Sequence, residues 1–169
     1  MRAGAPTALV IPVPECSTVL PPPSDMPHHI TVLYPFVGRR RVTAQLLTSL
    51  TEAFGSHPAF DFELTAVGRF PGVLYLGPEP VQPFRSLVEE CTRQWPSHRP
   101  YGGAFPEFVP HLTLAIGPEP AGLADRAASL LPIDARATEV WLMEWRRRGG
   151  WRRVARQPLS GVGSWPTAS

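Results

Sequence analysis

Two segments, HITV at 29–32 and HLTL at 111–114, constrain the folding of this 169-residue chain more than anything else in it. Each alternates polar and aliphatic residues, which is the pattern of a half-covered strand. Alternate side chains of a strand share a face and lie about 6.6 Å apart. His29 and Thr31 therefore project to one side, with Ile30, Val32 and Tyr34 on the other. His111 and Thr113 likewise project together, opposite Leu112, Leu114 and Ile116. Each segment has an apolar face that must be covered and a second face pairing an imidazole with a hydroxyl. His28 falls on the wrong face to join its neighbour.

The chain has five histidines, and chance places two such motifs together in about one chain per hundred of this kind. The surroundings of the motifs also match. After His29 the order of elements reads strand, helix, strand, Gly-containing turn, strand, and after His111 it reads the same. Two copies of one supersecondary unit can pack about a pseudo-twofold axis and present their motif strands to each other across a cleft. The expected architecture is α+β, with two antiparallel sheets in a bilobal arrangement, helices on the outer faces and a central cleft. One such domain spans 1–169.

The elements follow from periodicity and punctuation. A first strand covers about 7–13, and PPPSDMP at 21–27 is a loop. Val42, Leu46, Leu47, Leu50 and Phe54 mark a helix over 42–54. FDFEL at 60–64 alternates as a strand, and Pro71-Gly72 turns the chain into VLYL. A second helix covers about 81–95, and a long loop, SHRPYGGAFPEFVP, leads to HLTLAI. A third helix runs over 120–131, followed by strands near 137–145 and 151–158. GPEP, at 77–80 and 117–120, reads as a helix-start signal used twice. The small, polar tail from 160 to 169 is expected to be mobile.

Net charge is only +2, so total charge implies neither nucleic acid nor membrane. All sixteen basic residues are arginines, and the abundance of Arg, Ala, Pro and Gly suggests a GC-rich, bacterial coding sequence. Cys16 and Cys91 match no metal or redox spacing, and two unpatterned thiols favour a reducing compartment. No apolar run approaches the roughly 18 residues of a membrane span. The expected location is the cytoplasm. RRRGGWRR at 146–153 reads first as a solvated hairpin tip, and alternatively as a feature that steers RNA towards the cleft.

Two facing imidazoles and two hydroxyls suit phosphodiester hydrolysis without a metal. One neutral histidine takes a proton from water, and one protonated histidine gives a proton to the departing oxygen. Histidine titrates near 6.5, within reach of both roles. The threonine hydroxyls can donate to the non-bridging oxygens, where charge builds in the transition state. Metal binding fits poorly, since His28 and His29 face opposite ways and no carboxylate has ligand spacing.

HITV and HLTL, about eighty residues apart, with LYPF at 33–36 and VPHLTLAIG at 109–117, resemble the paired motifs of the 2H phosphoesterases. That superfamily includes the RNA 2',3'-cyclic phosphodiesterases, also called 2'-5' RNA ligases. The resemblance implies a bilobal α+β fold, His29 and His111 as the catalytic pair, and Thr31 and Thr113 as phosphate ligands. It implies no cofactor and no metal, an RNA end or a cyclic nucleotide as substrate, no membrane partner, and a monomer. Rival readings are 2'-5' strand joining, cleavage of other small cyclic or 2'-5' phosphodiesters, and an RNA-binding protein that keeps the cleft without turnover.

Overall fold

The computed structural model describes residues 4–163 and residue 165. Strand β1 (Thr7–Pro12) passes through one helical turn, α1 (Pro14–Ser17), and the proline-rich loop into β2 (His29–Leu33). Helix α2 (Ala44–Gly55) starts where the Thr43 hydroxyl accepts from the Leu46 N–H at 3.1 Å, an N-cap that satisfies an orphan donor. A hairpin follows, β3 (Phe60–Phe70) and β4 (Val73–Glu79), turning at Pro71-Gly72. Helix α3 (Gln82–Gln94) has its proline in the first turn. A 3-10 turn at Pro100–Gly103 precedes β5 (Leu112–Ile116), α4 (Leu123–Leu130), β6 (Ile133–Ala137), β7 (Glu139–Arg146) and β8 (Gly150–Pro158).

All eight strands join one curled antiparallel sheet in the order β6-β3-β4-β5-β2-β1-β7-β8. The two sheets expected from the sequence are its halves, and the two motif strands form the seam between them. That seam is narrow, with Ile30 opposite Leu112 as its register pair. Both residues are fully buried. The apolar face of the sheet, together with Leu50, Phe54, Phe84 and Leu87 from the helices, makes the main core. Helix α2 lies against β8, α3 against β2 and α4 against β3, so the helices cover the face that the histidines avoid.

The units are interleaved. The β3–β4 hairpin, which follows the first motif, pairs with the second motif strand, β5. The β7–β8 hairpin, which follows the second motif, flanks β1 beside the first motif strand. Each half of the sheet is therefore built from both ends of the chain.

Several expectations change. The strand expected near 137–145 is β7, and a further short strand that was not expected, β6, comes before it, where Ile133–Ala137 pairs with β3. GPEP starts no helix: Gly77, Pro78 and Glu79 close the β3–β4 ladder, and α4 begins at Leu123. Pro78 is tolerated because β4 has by then run past its last pair with β5, where a missing N–H costs nothing. Ile116 is not on a covered face; it is 75% exposed at the end of β5. Tyr34 does not follow Ile30 and Val32 into the main core. A register irregularity between Leu9 and Val10 turns the strand pair there, and Tyr34 packs with Ala8, Val10, Met26 and Met143 on the other face.

The expected mobile tail is tied down over its described part. The Gly161 N–H donates to the His57 carbonyl at 2.9 Å, and Pro58 bridges to Ser160. Trp165 stacks on His57 with ring centroids 5.1 Å apart, and its indole N–H donates to the Pro58 carbonyl at 3.0 Å. Residues 164 and 166–169 lie outside the described residues.

Candidate active site

The register at the seam decides the layout of the motif residues. With Ile30 opposite Leu112 in an antiparallel pair, one step along puts Thr113 across from His29 and His111 across from Thr31. The four side chains take the corners of a rectangle on the face away from the main core, with the histidines on one diagonal and the threonines on the other. Diagonal neighbours in such a pair lie about 7–8 Å apart at the backbone, a gap that two rings can close from both sides.

The two imidazoles are held alike. His29 Nδ1 donates to the Pro27 carbonyl at 2.7 Å, and His111 Nδ1 donates to the Val109 carbonyl at 2.8 Å. In each case the acceptor is the carbonyl two residues earlier, which can only accept, so the proton of the neutral ring sits on Nδ1. Nε2 is left as the reactive atom on both rings. Among the described residues neither Nε2 has a hydrogen-bond partner, and neither is sealed from solvent.

Burial in the cleft lowers the pKa of both histidines, with the carbonyl bonds working the other way. For His29 the positive charges that His28 and His111 would carry lower it further, so the two motif histidines sense each other. Proximity of this kind favours a state in which one ring is charged and the other neutral.

His28 differs from its neighbour. It is buried, its Nε2 donates to the Pro21 carbonyl at 3.1 Å, and its Nδ1 therefore accepts from the Ser17 hydroxyl at 3.1 Å. It pins α1 and the proline-rich loop behind β2.

Three aromatic residues that sequence reasoning passed over complete the cleft. Phe70 and Tyr75 meet the His111 ring edge-on at 5.1 and 5.5 Å between centroids. Tyr75 stands opposite Thr113 on β4, and its ring lies over Gly68 on β3, where any Cβ would overlap it. Tyr101 stacks towards His111 at 6.5 Å, and its phenol lies beside Thr31. Burial pushes that phenol up, and the Thr31 contact opposes the shift. The sequence signals available were the parity of Tyr75 along VLYL and the Gly-Gly pair after Tyr101, which permits the loop to double back.

Among the described residues no three His, Cys, Asp or Glu side chains cluster as a metal site would require. Cys16 and Cys91 are buried free thiols, each pushed up to about 12 chiefly by burial. A hollow of about 620 Å³ lined by Glu15, Asp61, Glu63, Glu79 and Asp134 lies elsewhere, between β3, β6 and α1. Arg136 is the one cation in this mostly acidic lining, and the histidines are not part of it.

A sequence model of the 2'-5' RNA ligase superfamily matches residues 18–149, which include both motifs and everything between them. The chain belongs to this superfamily. Among solved structures, E. coli LigT complexed with 3'-AMP superposes with a TM-score of 0.58 at 20% identity, covering 92% of this chain and 98% of that one. A protein described as a phosphoesterase gives 0.58 at 22% identity, covering 93% and 99%. TT0787 of Thermus thermophilus gives 0.58 at 18% identity, covering 94% and 100%. Among curated proteins none matches the chain. At these identities the structural likeness establishes the LigT-like fold of the superfamily member and leaves the roles of its side chains to the geometry above.

Proposed function

We propose that this member of the 2'-5' RNA ligase superfamily is a metal-independent phosphodiesterase that opens 2',3'-cyclic phosphates on RNA ends or nucleotides. The observation that carries this reading is the matched tethering of His29 and His111, each through Nδ1 to its own i−2 carbonyl, with both Nε2 atoms left open to the cleft. In hydrolysis one neutral Nε2 takes a proton from water as its oxygen bonds to phosphorus. The bond from phosphorus to one ribose oxygen breaks, and the other imidazolium delivers its proton to that oxygen. The product is a ribose phosphomonoester with a free neighbouring hydroxyl. Thr31 and Thr113, on the other diagonal, donate to the non-bridging oxygens as charge grows there.

The relative with 3'-AMP bound fits the same reading, since a 3'-monophosphate is one of the two products that opening 2',3'-cyclic AMP can give. Two buried, unpaired thiols suit a reducing cytoplasm. Strand joining through a 2'-5' bond needs the same two groups, with an RNA 5'-hydroxyl in place of water attacking the cyclic phosphate and the 3'-oxygen leaving with the acid's proton.

The deciding experiment is a product screen with 2',3'-cyclic nucleotides, cyclic-phosphate-ended RNA and 2'-5'-linked dinucleotides, run with and without chelator. Hydrolysis of the cyclic phosphates that survives chelation is expected. Activity on the 2'-5' linkage alone would reassign the substrate, and loss of all activity to chelator would overturn the metal-free mechanism.

A further inference from the structure

We propose that the face of β1, β7 and β8 that continues from Thr31 is a binding strip for single-stranded RNA, taking the nucleotides that precede the reacting end. The proposal rests on the phosphodiesterase reading for where the end sits, and on separate residues for the strip. Directly opposed residues of neighbouring strands share a face. Thr31 is opposed by Val10 on β1, Val10 by Trp141 on β7, and Trp141 by Arg156 on β8. A row therefore runs from the cleft to the sheet edge, about 15 Å across three strand spacings. Val10 is buried in the cluster that Tyr34, Trp141 and Trp151 pack against, so that these rings carry the surface across it.

The outer end of this row is basic and aromatic. The guanidinium of Arg153 lies 4.6 Å from the centroid of the Trp141 ring, and that of Arg156 lies 5.9 Å from it. Both arginines are exposed. Arg153 has no carboxylate within ion-pair distance among the described residues, and Arg156 has only a long contact of 3.9 Å to Glu139. Beside them Trp151 meets Tyr34 edge-on at 6.1 Å, over the small cluster of Ala8, Val10, Met26 and Met143 that fixes the rings. A guanidinium laid flat on an indole keeps its N–H edge for phosphate oxygens and offers its upper face to a base. Cations that track the backbone beside planar groups that take bases are what single-stranded RNA requires.

Several other arginines are already committed. Arg39 and Arg146 both meet Glu144, and Arg136 meets Asp61. Arg69 is held by Glu119 through two bonds of 2.8 and 3.0 Å. The opposite row, Thr113 to Tyr75 to Gly68, contains no cation. Of these two rows the one from Thr31 offers a strand of RNA both charge and stacking, so the chain leaves the cleft that way.

The test compares a short oligoribonucleotide ending in a 2',3'-cyclic phosphate with 2',3'-cyclic AMP, in the wild type and in R153A/R156A. The wild type is expected to prefer the oligonucleotide, and the double variant to lose that preference by about tenfold through KM. In parallel, fluorescence anisotropy with a 3'-phosphorylated single-stranded RNA reads binding without turnover. Its dependence of log affinity on log salt should flatten by about 0.7 per arginine removed. An unchanged substrate ratio and an unchanged salt slope overturn the strip while leaving the hydrolase reading intact. If neither substrate is hydrolysed but RNA binding still weakens in R153A/R156A, the strip stands and the hydrolase reading falls.

Discussion

Tyr101 stands over His111 with ring planes within 26° of parallel, and it does so from a left-handed backbone conformation, φ 51° and ψ 34°. A non-glycine residue held there costs of order 1–2 kcal/mol, and such strain concentrates where a side chain must be aimed. The Tyr101 N–H bond to the Tyr34 carbonyl, 2.5 Å, offsets part of that cost. The phenol lies beside Thr31, whose hydroxyl the proposed mechanism assigns to the phosphate, and is placed to bond it when substrate is present. Removing one such bond is worth about 1 kcal/mol. Tyr101→Phe is therefore expected to lower kcat/KM by about fivefold to tenfold with an unchanged melting temperature. Equal activity in the phenylalanine variant would show that Thr31 needs no support.

Neighbouring histidines should separate cleanly in a pair of variants. His29→Ala removes a group with one local bond, so the fold should survive while turnover falls by roughly 10²–10⁴-fold, and His111→Ala should do the same. His28→Ala instead strips two bonds from a buried site and leaves the Pro21 carbonyl unpaired, costing about 1–3 kcal/mol of stability with far less effect on kcat. Chemical denaturation alongside steady-state kinetics reads both quantities. Retained turnover in His29→Ala and His111→Ala with weakened RNA affinity would instead identify a binding module.

The motif residues were legible because strand parity is local: two residues apart is one face, whatever the rest of the chain does. The helices followed from their own periodicity and the halves of the sheet from the repeated order of elements, while the pairing of the two motif strands at the seam did not follow from either. What escaped depended on non-local partners. Tyr101 is a loop residue whose direction is set by the Tyr34 carbonyl sixty-seven positions earlier in the chain. Tyr34 leaves its expected face because of an irregularity opposite Leu9 and Val10 on another strand. Trp165 looked like part of a polar tail, yet a single indole finding His57 and Phe60 is enough to anchor it. The interleaving of the two units also lay beyond periodicity, since order along the chain does not say which hairpin joins which strand.

The pH profile of catalysis has a definite side. Both motif histidines have pKa values lowered from 6.5 in the free protein, first by burial. The alkaline limb belongs to loss of the proton that the acid must carry, so the bell of kcat/KM should peak below pH 6.5. Its two limbs belong to the coupled pair and not to single residues. A bound phosphate anion favours imidazolium, so the profile of kcat should lie to the alkaline side of that of kcat/KM. A kcat/KM optimum above pH 7 would contradict the geometry.

Stability should also fall on acidification, and His57 supplies a separable part. It is covered by Trp165, its pKa is lowered first by burial and then by the charge of Arg93, and Glu90 lies 3.4 Å from its Nε2 without a formed hydrogen bond. A histidine with a lowered folded pKa is matched by the unfolded chain above about pH 6.5. Below that value the unfolded chain takes up the proton first, so stability is lost as pH falls towards the folded pKa. His28, His29 and His111 act with the same sign. Each can contribute a slope of at most about 1.4 kcal/mol per pH unit. Urea unfolding at pH 7.5 and 5.5 should show a marked loss in the wild type and a shallower one in His57→Gln, which removes one titrating group. Indole fluorescence of a chain retaining only Trp165 should report the same transition if the C-terminal anchor releases with the proton. A slope identical in wild type and His57→Gln would mean that Glu90 already holds the charged ring, and that the anchor is indifferent to pH.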